Sequence, residues 1–271
     1  MKQVVLITGA SSGIGKETAR LLSKMGYIVY AAARRTEKMS DLQALGVNTL
    51  ELDITNDASV QKAIGEIISS HNRIDVLVNN AVYGSYGSLE DVPMEEAKYQ
   101  FEVNIFGLAR LTQLVIPYMR KQRSGRIVNI SSMGGKFGEP HGAWYHATKF
   151  ALEGLSDSLR MELKQFGIEV VVIQPGAIKT EWNKIARENL LSVSGTTAYK
   201  ELAGKHAAFL EKGDGSMGSE PMVIAKAIAK AVTSRKPKTR YVAGAGARPM
   251  LFLKSILSDR MFDKFLLGLM R

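Results

Sequence analysis

The 271-residue sequence contains no cysteine, so disulfides, thiolate zinc sites, iron–sulfur clusters, thiol redox switches and a cysteine nucleophile are all excluded. Histidine is scarce too: His71, His141, His146 and His206 show no i, i+4 pairing, and no metal site is expected. No uninterrupted apolar run reaches the roughly 18 to 20 residues of a membrane-spanning helix. Met1-Lys2-Gln3 leads straight into the apolar Val4 to Ile7, with no charged leader or cleavage site, so a cytoplasmic protein is expected. Basic residues interleaved with aromatics, the pattern of a nucleic-acid surface, are absent as well, and no nucleic-acid partner is expected.

The composition that remains is ordinary for a globular chain, 45% hydrophobic and 23% charged, and the length suits one domain over residues 1–271. The net charge of +10 is unevenly placed: residues 221–271 hold 11 Lys or Arg against Asp259 and Asp263, so that tail supplies +9. A solvated surface or an anionic partner would both account for it.

Short β-branched runs alternate with amphipathic stretches through the first 175 residues. The runs are Gln3–Thr8, Tyr27–Ala33, Val47–Leu52, Ile74–Asn79, Arg126–Ser131 and Glu169–Gln174; helical patterns cover Ile14–Met25, Glu37–Leu45, Ala58–Ser70, Val103–Lys121 and Ala143–Phe166. Strands as uniformly apolar as Val4-Val5-Leu6-Ile7 suit a parallel sheet covered on both faces. The expected fold is therefore α/β, a doubly wound, Rossmann-type parallel sheet flanked by helices. After Pro175 the rhythm breaks. Residues 179–218 read as a polar, weakly helical lid ending in the glycine-rich 213–218, Ser219 and Pro221 as the start of a helix to Ser234, and Arg240–Val242 as an edge strand. Residues 249–271 read as one amphipathic helix with a wide apolar side, docked on protein or lying on a membrane surface.

The first strand ends in Thr8-Gly9-Ala10-Ser11-Ser12-Gly13-Ile14-Gly15. Glycines between a strand and a helix let the backbone approach a pyrophosphate, which the free N–H groups and dipole of the helix terminus stabilise. At the end of the second strand, where a ribose 2′-OH is usually met by an acid, stand Ala33, Arg34 and Arg35. An arginine fork suits a 2′-phosphate, so NADP(H) is favoured over NAD(H). Asp53, closing the third strand, is placed to bond the adenine amino group or to cap a turn. Of nine tyrosines only Tyr145 has a lysine four residues on, Lys149. That spacing puts phenol and ammonium on one helical face. A phenol ordinarily titrates near pH 10 and serves as an acid or base at neutral pH when a nearby cation stabilises phenolate.

Ser132 lies thirteen residues before Tyr145, Asn104 falls in the preceding helical stretch, and Asn79-Asn80-Ala81 closes the fourth strand. With the glycine loop, these residues resemble the short-chain dehydrogenase/reductase superfamily from residue 3 to about 180. The pattern is most similar to the branch of 17β-hydroxysteroid and retinol dehydrogenases. The resemblance implies that Tyr145 is the proton donor or acceptor, that Lys149 lowers its pKa and binds the nicotinamide ribose, that Ser132 holds the substrate oxygen, and that Asn104 positions a water leading to Lys149. It also implies cofactor contacts at Asn80 and Ala81, and at Pro175, Gly176, Ile178 and Thr180 beside the nicotinamide carboxamide. One position departs from the family: Val82 stands where Asn-Asn-Ala is usually followed by glycine, and is expected to narrow the cleft.

Val82, Met133, Gly134, Phe137, His141, Trp144 and Trp182 are the expected substrate pocket, from their places beside the motifs. The expected substrate is a small lipophilic ketone or aldehyde or the corresponding alcohol, with steroid-like, retinoid-like and fatty or acyl-glycerone compounds equally open. A nicotinamide-binding redox sensor without turnover is the rival reading, and a lipid-surface binder built on the basic tail is a third. The resemblance further implies a homodimer or homotetramer through Val103–Lys121 and Ala143–Phe166.

Overall fold

In a computed structural model of the protein, the described residues are 2–215 and 217–270; Met1, Ser216 of the expected lid and Arg271 of the expected C-terminal helix lie outside them. Seven strands form one parallel sheet: β1 (Val4–Thr8), β2 (Ile28–Ala33), β3 (Asn48–Glu51), β4 (Val76–Asn79), β5 (Gly125–Ile130), β6 (Ile168–Pro175) and β7 (Arg240–Ala243). Their order is β3-β2-β1-β4-β5-β6-β7, with every neighbouring pair parallel. The chain builds outward first on one side of β1 and then, from β4, on the other. At that reversal the connections leave in opposite directions and open a crevice at the carboxyl ends of the strands.

Two apolar layers hold the sheet. One face packs Leu22 of α1 (Gly13–Lys24) and Ile224, Ile228 and Val232 of α9 (Met222–Thr233). The other packs Val60, Ile64 and Ile67 of α3 (Asp57–His71) with Leu111, Val115 and Met119 of α5 (Leu108–Gln122). A strand as uniformly apolar and buried as Val4-Val5-Leu6-Ile7 of β1 fits because both faces are dry.

Several elements differ from the sequence expectation. The stretch expected to be a helix over Glu37–Leu45 is a 3₁₀ turn, Thr36–Met39, followed by the single-turn α2 (Ser40–Gln43). The helix expected from Val103 begins a further two turns upstream as α4 (Met94–Phe101) and runs into α5 through a π-helical segment, Glu102–Gly107. The expected weakly helical lid is two full helices, α7 (Glu181–Ser194) and α8 (Lys200–Asp214). They are stabilised by packing Ala186 and Leu190 on Ala203, Ala207 and Leu210 rather than by local propensity. Ser219 does not start the next helix; it bridges Ile178, and Pro221 takes the N-cap position of α9. The single helix expected at the C-terminus is broken at Leu257 and Ser258, both extended, into α10 (Ala247–Ile256) and α11 (Asp259–Leu269). Phe262 and Leu266 thereby turn inward onto Phe137. Among the described residues no helix is long and apolar enough to cross a membrane.

Candidate active site

The crevice between β1 and β4 opens into a cleft of about 510 Å³. Its glycine loop is shaped by close approach. A Cβ on Gly9, at φ +66°, would lie 2.8 Å from Ala81 Cα, and one on Gly15 would lie 2.5 Å from both the Gly9 carbonyl and the Asn80 amide. Asn80 holds this contact, donating to the carbonyls of Thr8 (2.9 Å) and Gly9 (3.1 Å). The Thr8 hydroxyl in turn accepts from the backbone N–H groups of Asn80 and Ala81. Gly13, at φ +54°, opens α1, whose N-cap Ser12 makes no capping bond and whose first turn carries no acid. The uncapped terminus faces the cleft with Ser11, Ser12, Gly13 and Ile14 in its lining. Such an end fits an anion.

Farther along the cleft lie Arg34, Arg35 and Asp53. Arg34 donates to the Tyr99 hydroxyl at 3.0 Å, and Arg35 to Glu181 at 3.0 Å. Asp53 accepts from the Thr55 backbone and hydroxyl; burial alone would raise its pKa, but those bonds and the Arg34 charge hold it below the usual carboxylate range. The glycine cradle, the uncapped terminus and the basic pair together fit a nicotinamide dinucleotide. Ala81, Pro175, Gly176, Ile178 and Thr180 line the same cleft, whereas Gly15 lies behind it, in van der Waals support of the loop.

At the end of β5, Ser132 caps a 3₁₀ turn, accepting from Gly134 N–H at 3.0 Å. Tyr145 stands in the first turn of α6 (Ala143–Leu163), with Lys149 one turn on; the ammonium is 5.8 Å from the phenol ring centre and donates to the Ile130 carbonyl at 2.9 Å. Burial pushes the Tyr145 phenol up to about 12, a hydrogen bond with Ser132 opposes this, and the charge of Glu139 adds to it. Burial draws Lys149 down to about 8, opposed by Glu153. The expected lowering of the Tyr145 pKa by Lys149 is thus not what the protein alone provides, because desolvation outweighs a cation whose nearest bond is to a backbone carbonyl. Asn104, in the π segment, spends its amide on the Tyr83 backbone (2.8 Å to both N–H and carbonyl) and on Thr148 at 3.1 Å. Its side chain fixes the Tyr83 loop.

Of the expected pocket residues, Val82, Met133, Gly134, Phe137 and Trp182 line the cleft, but His141 and Trp144 do not. Trp144 precedes Tyr145 on the helix and is rotated about 100° from it; it meets Phe101 instead, with ring centres 6.3 Å apart. His141, at φ +61°, is buried against His206, their Nδ1 atoms 3.2 Å apart. Val82 is exposed at the cleft wall. Lining residues that the sequence reading did not place in the site include Tyr86, Glu139, His146, Phe209 and Leu210. The signal for Glu139 was present, since it is the only acid between Ser132 and Tyr145. Those for Tyr86 and Phe209 were not, since tertiary packing alone brings them in. Tyr86 lies 5.7 Å from the Tyr145 ring and Trp182 lies 4.9 Å from it, closing the phenol under an aromatic roof.

Comparison with known proteins gives the same picture. A family profile described as short chain dehydrogenase matches residues 3–191. The 3-ketodihydrosphingosine reductase of Bacteroides thetaiotaomicron is 40% identical over 255 residues, covering 93% of this chain and 91% of the relative. The NADPH-dependent 3-dehydrocapnine reductase of Ornithobacterium rhinotracheale is 34% identical over 273 residues, covering 96% and 94%. Among solved structures, a short-chain dehydrogenase from Streptomyces avermitilis superposes with a TM-score of 0.81 at 33% identity, covering 94% of this chain and 93% of that one. Actinorhodin polyketide ketoreductase with NADPH gives 0.76 at 28% identity, covering 89% and 95%. Matching over most of its length in profile, sequence and fold, the chain belongs to the short-chain dehydrogenase family of oxidoreductases.

Proposed function

We propose that the protein is an NADP(H)-dependent reductase of a lipophilic ketone, working equally as the dehydrogenase of the corresponding alcohol. The observation that carries this reading is the Tyr145 phenol, hydrogen-bonded to Ser132 and one helical turn from buried Lys149, in an otherwise largely apolar cleft. When bound, the nicotinamide supplies the hydride for the carbonyl carbon. Ser132 orients the carbonyl oxygen, and Tyr145 gives that oxygen its proton, so the ketone takes up one hydride and one proton and leaves as the alcohol. A positioned acid of this kind is worth about 10²- to 10⁴-fold. Lys149 would hold the ribose, and Arg34 with Arg35 the 2′-phosphate, in keeping with the NADPH dependence in the name of one relative. The names of the two relatives give reductases of a 3-keto and a 3-dehydro compound, which supports a ketone substrate here.

Two surfaces complete the proposal. Phe106, Phe150 and Met161 are exposed on the π segment and α6, an apolar face suited to a homodimer or homotetramer. Phe252, Ile256, Met261 and Leu267 are exposed on α10 and α11 among exposed Arg248, Arg260 and Lys264, which suits peripheral contact with an anionic lipid surface.

The test is NADPH and NADH consumption against apolar ketones of increasing chain length, with Tyr145→Phe alongside. Consumption of NADPH that the variant abolishes is the expected result. NADPH binding with no turnover of any ketone would replace the enzyme reading with the redox-sensor one, and a preference for NADH would overturn the role given to the arginine pair.

A further inference from the structure

Glu139 sits at the substrate end of the cleft, on the loop between β5 and α6, and its two carboxylate oxygens have different surroundings. Oε1 accepts from the Tyr86 hydroxyl at 2.8 Å and faces His146 Nε2 at 3.6 Å and His206 Nε2 at 3.9 Å. Oε2 makes no hydrogen bond among the described residues, while the side chain retains 16% of its surface and lines the cleft. The same cleft is lined by Phe137, Trp182, Phe209, Leu210 and Met133. One carboxylate oxygen facing a pocket of this kind is costly unless something cationic or hydrogen-bonding meets it.

The carboxylate is held ionised. Burial alone would raise its pKa, but His146, His206 and the Tyr86 hydroxyl together hold it down to about 2. Its position relative to the chemistry is set by Tyr86, which binds Oε1 and whose ring lies 5.7 Å from that of Tyr145. A ligand cation on Oε2 would therefore lie close to the carbonyl that Tyr145 protonates. The surrounding histidines His146 and His206 meet Oε1, not Oε2. The Nδ1 of His146 donates to the Gly134 carbonyl at 2.8 Å, His141 is drawn down to about 4 chiefly by burial, and His206 is lowered by burial as well.

We propose that Glu139 is the specificity-determining residue of the cleft and receives, through Oε2, the ammonium of a substrate that carries an amine beside its ketone and an apolar chain beyond it. This rests on the reductase reading for the ketone. The sphingoid chemistry in the name of one relative supplies such a substrate class, since dihydrosphingosine is a 2-amino alcohol and its 3-keto form places the amine on the adjoining carbon. The apolar roof would take the chain, and the ammonium would offset the charge that raises the Tyr145 pKa.

The experiment compares a 2-amino-3-ketone of medium chain length with its N-acetyl derivative and with the same ketone lacking the amine, using NADPH and the full chain. Wild type is expected to favour the free amine in kcat/KM, and Glu139→Gln, whose amide oxygen still accepts from Tyr86, to shrink that preference by about 10- to 100-fold. Tyr86→Phe, which keeps the carboxylate but removes the Oε1 bond, is expected to retain the preference. Calorimetric binding of the saturated 2-amino alcohol against the amine-free alcohol reads the same preference without turnover. If no ketone is reduced yet the amine still binds selectively through Glu139, the reductase reading falls and the ammonium site stands. If wild type shows no preference for the amine, or Glu139→Gln lowers all three substrates alike, the proposal is overturned.

Discussion

On the floor of the cleft, the polar side chains around the site are tied to backbone or to one another inside the protein. Lys149 reaches the Ile130 carbonyl, Asn80 the carbonyls of Thr8 and Gly9, and Asn104 both backbone groups of Tyr83, while Asn79, Asn129 and Ser156 form a buried chain beneath them. On the roof, α7 and α8 rest on the cleft through Trp182 and Leu210; behind it Ser194 and His206 make buried bonds to Ser88 and His141, but the polar ties at its outer edge are ion pairs near solvent, Arg35 and Lys38 with Glu181, and Arg187 with Glu211. Buried networks admit one geometry, because a broken member leaves another unsatisfied. Exposed pairs are worth about 0 to 1 kcal/mol each and can be exchanged at small cost. The floor is thereby suited to a fixed reaction and the roof to a changeable substrate.

Changes on the two sides should separate cleanly. The largest effect belongs to the floor: Tyr145→Phe should lower kcat by about 10²- to 10⁴-fold while leaving thermal stability nearly intact, as steady-state rates and a melting curve would register. A comparable kcat loss from any roof substitution would erase the distinction. Next comes pH. With Tyr145 pushed up to about 12 the phenol is protonated at neutral pH, so ketone reduction should be flat from pH 6 to about 7.5 and decline as Lys149, drawn down to about 8, loses its proton. Alcohol oxidation needs phenolate, whose fraction grows about tenfold per pH unit below the pKa, so its rate should climb toward pH 8 and then bend. Rate profiles measured in both directions check the sign, and an oxidation rate that falls from pH 6 to 8 contradicts it.

The roof is expected to answer more gently. Trp182→Ala removes the ring 4.9 Å from Tyr145 and should raise KM for a long-chain ketone by about tenfold with kcat little changed, in line with about 1.4 kcal/mol for a partly buried apolar side chain. Smallest of all, Glu181→Ala frees Arg35 and Lys38 and should tighten NADPH by about two- to fivefold. Fluorescence titration with NADPH and NADH in parallel sharpens the point, since an equal gain for both cofactors would separate Glu181 from the 2′-phosphate.

The same division explains what could be read from sequence. The strands, the glycine loop and the Tyr145–Lys149 pair are local patterns, in which burial on both faces, tight turns and helical spacing each leave a mark within a few residues. Roof helices leave almost none: α7 and α8 are polar and unremarkable in composition, and tertiary contact with each other, with Tyr86 and with Tyr145 stabilises them. Trp144 lies elsewhere because nearness in sequence to Tyr145 does not give the direction of a side chain around a helix, and His141 because it precedes that helix in a left-handed backbone conformation, buried against His206. The break at Leu257 and Ser258 was hidden by an apolar periodicity that runs through both α10 and α11.

The π segment at Glu102–Gly107 has a consequence of its own. Upstream of it, Tyr99 meets Arg34 at one end of the cleft; within it, Asn104 clamps the Tyr83 loop toward the other. A regular α-helix turns about 100° per residue, so removing one residue here would swing Tyr99 away from its arginine or Asn104 away from its loop. The widened turn acts as a phase shifter, letting one continuous rod serve two clients whose angular positions do not match. A one-residue deletion would therefore unhitch one end of the cleft from the other without touching a single reacting group.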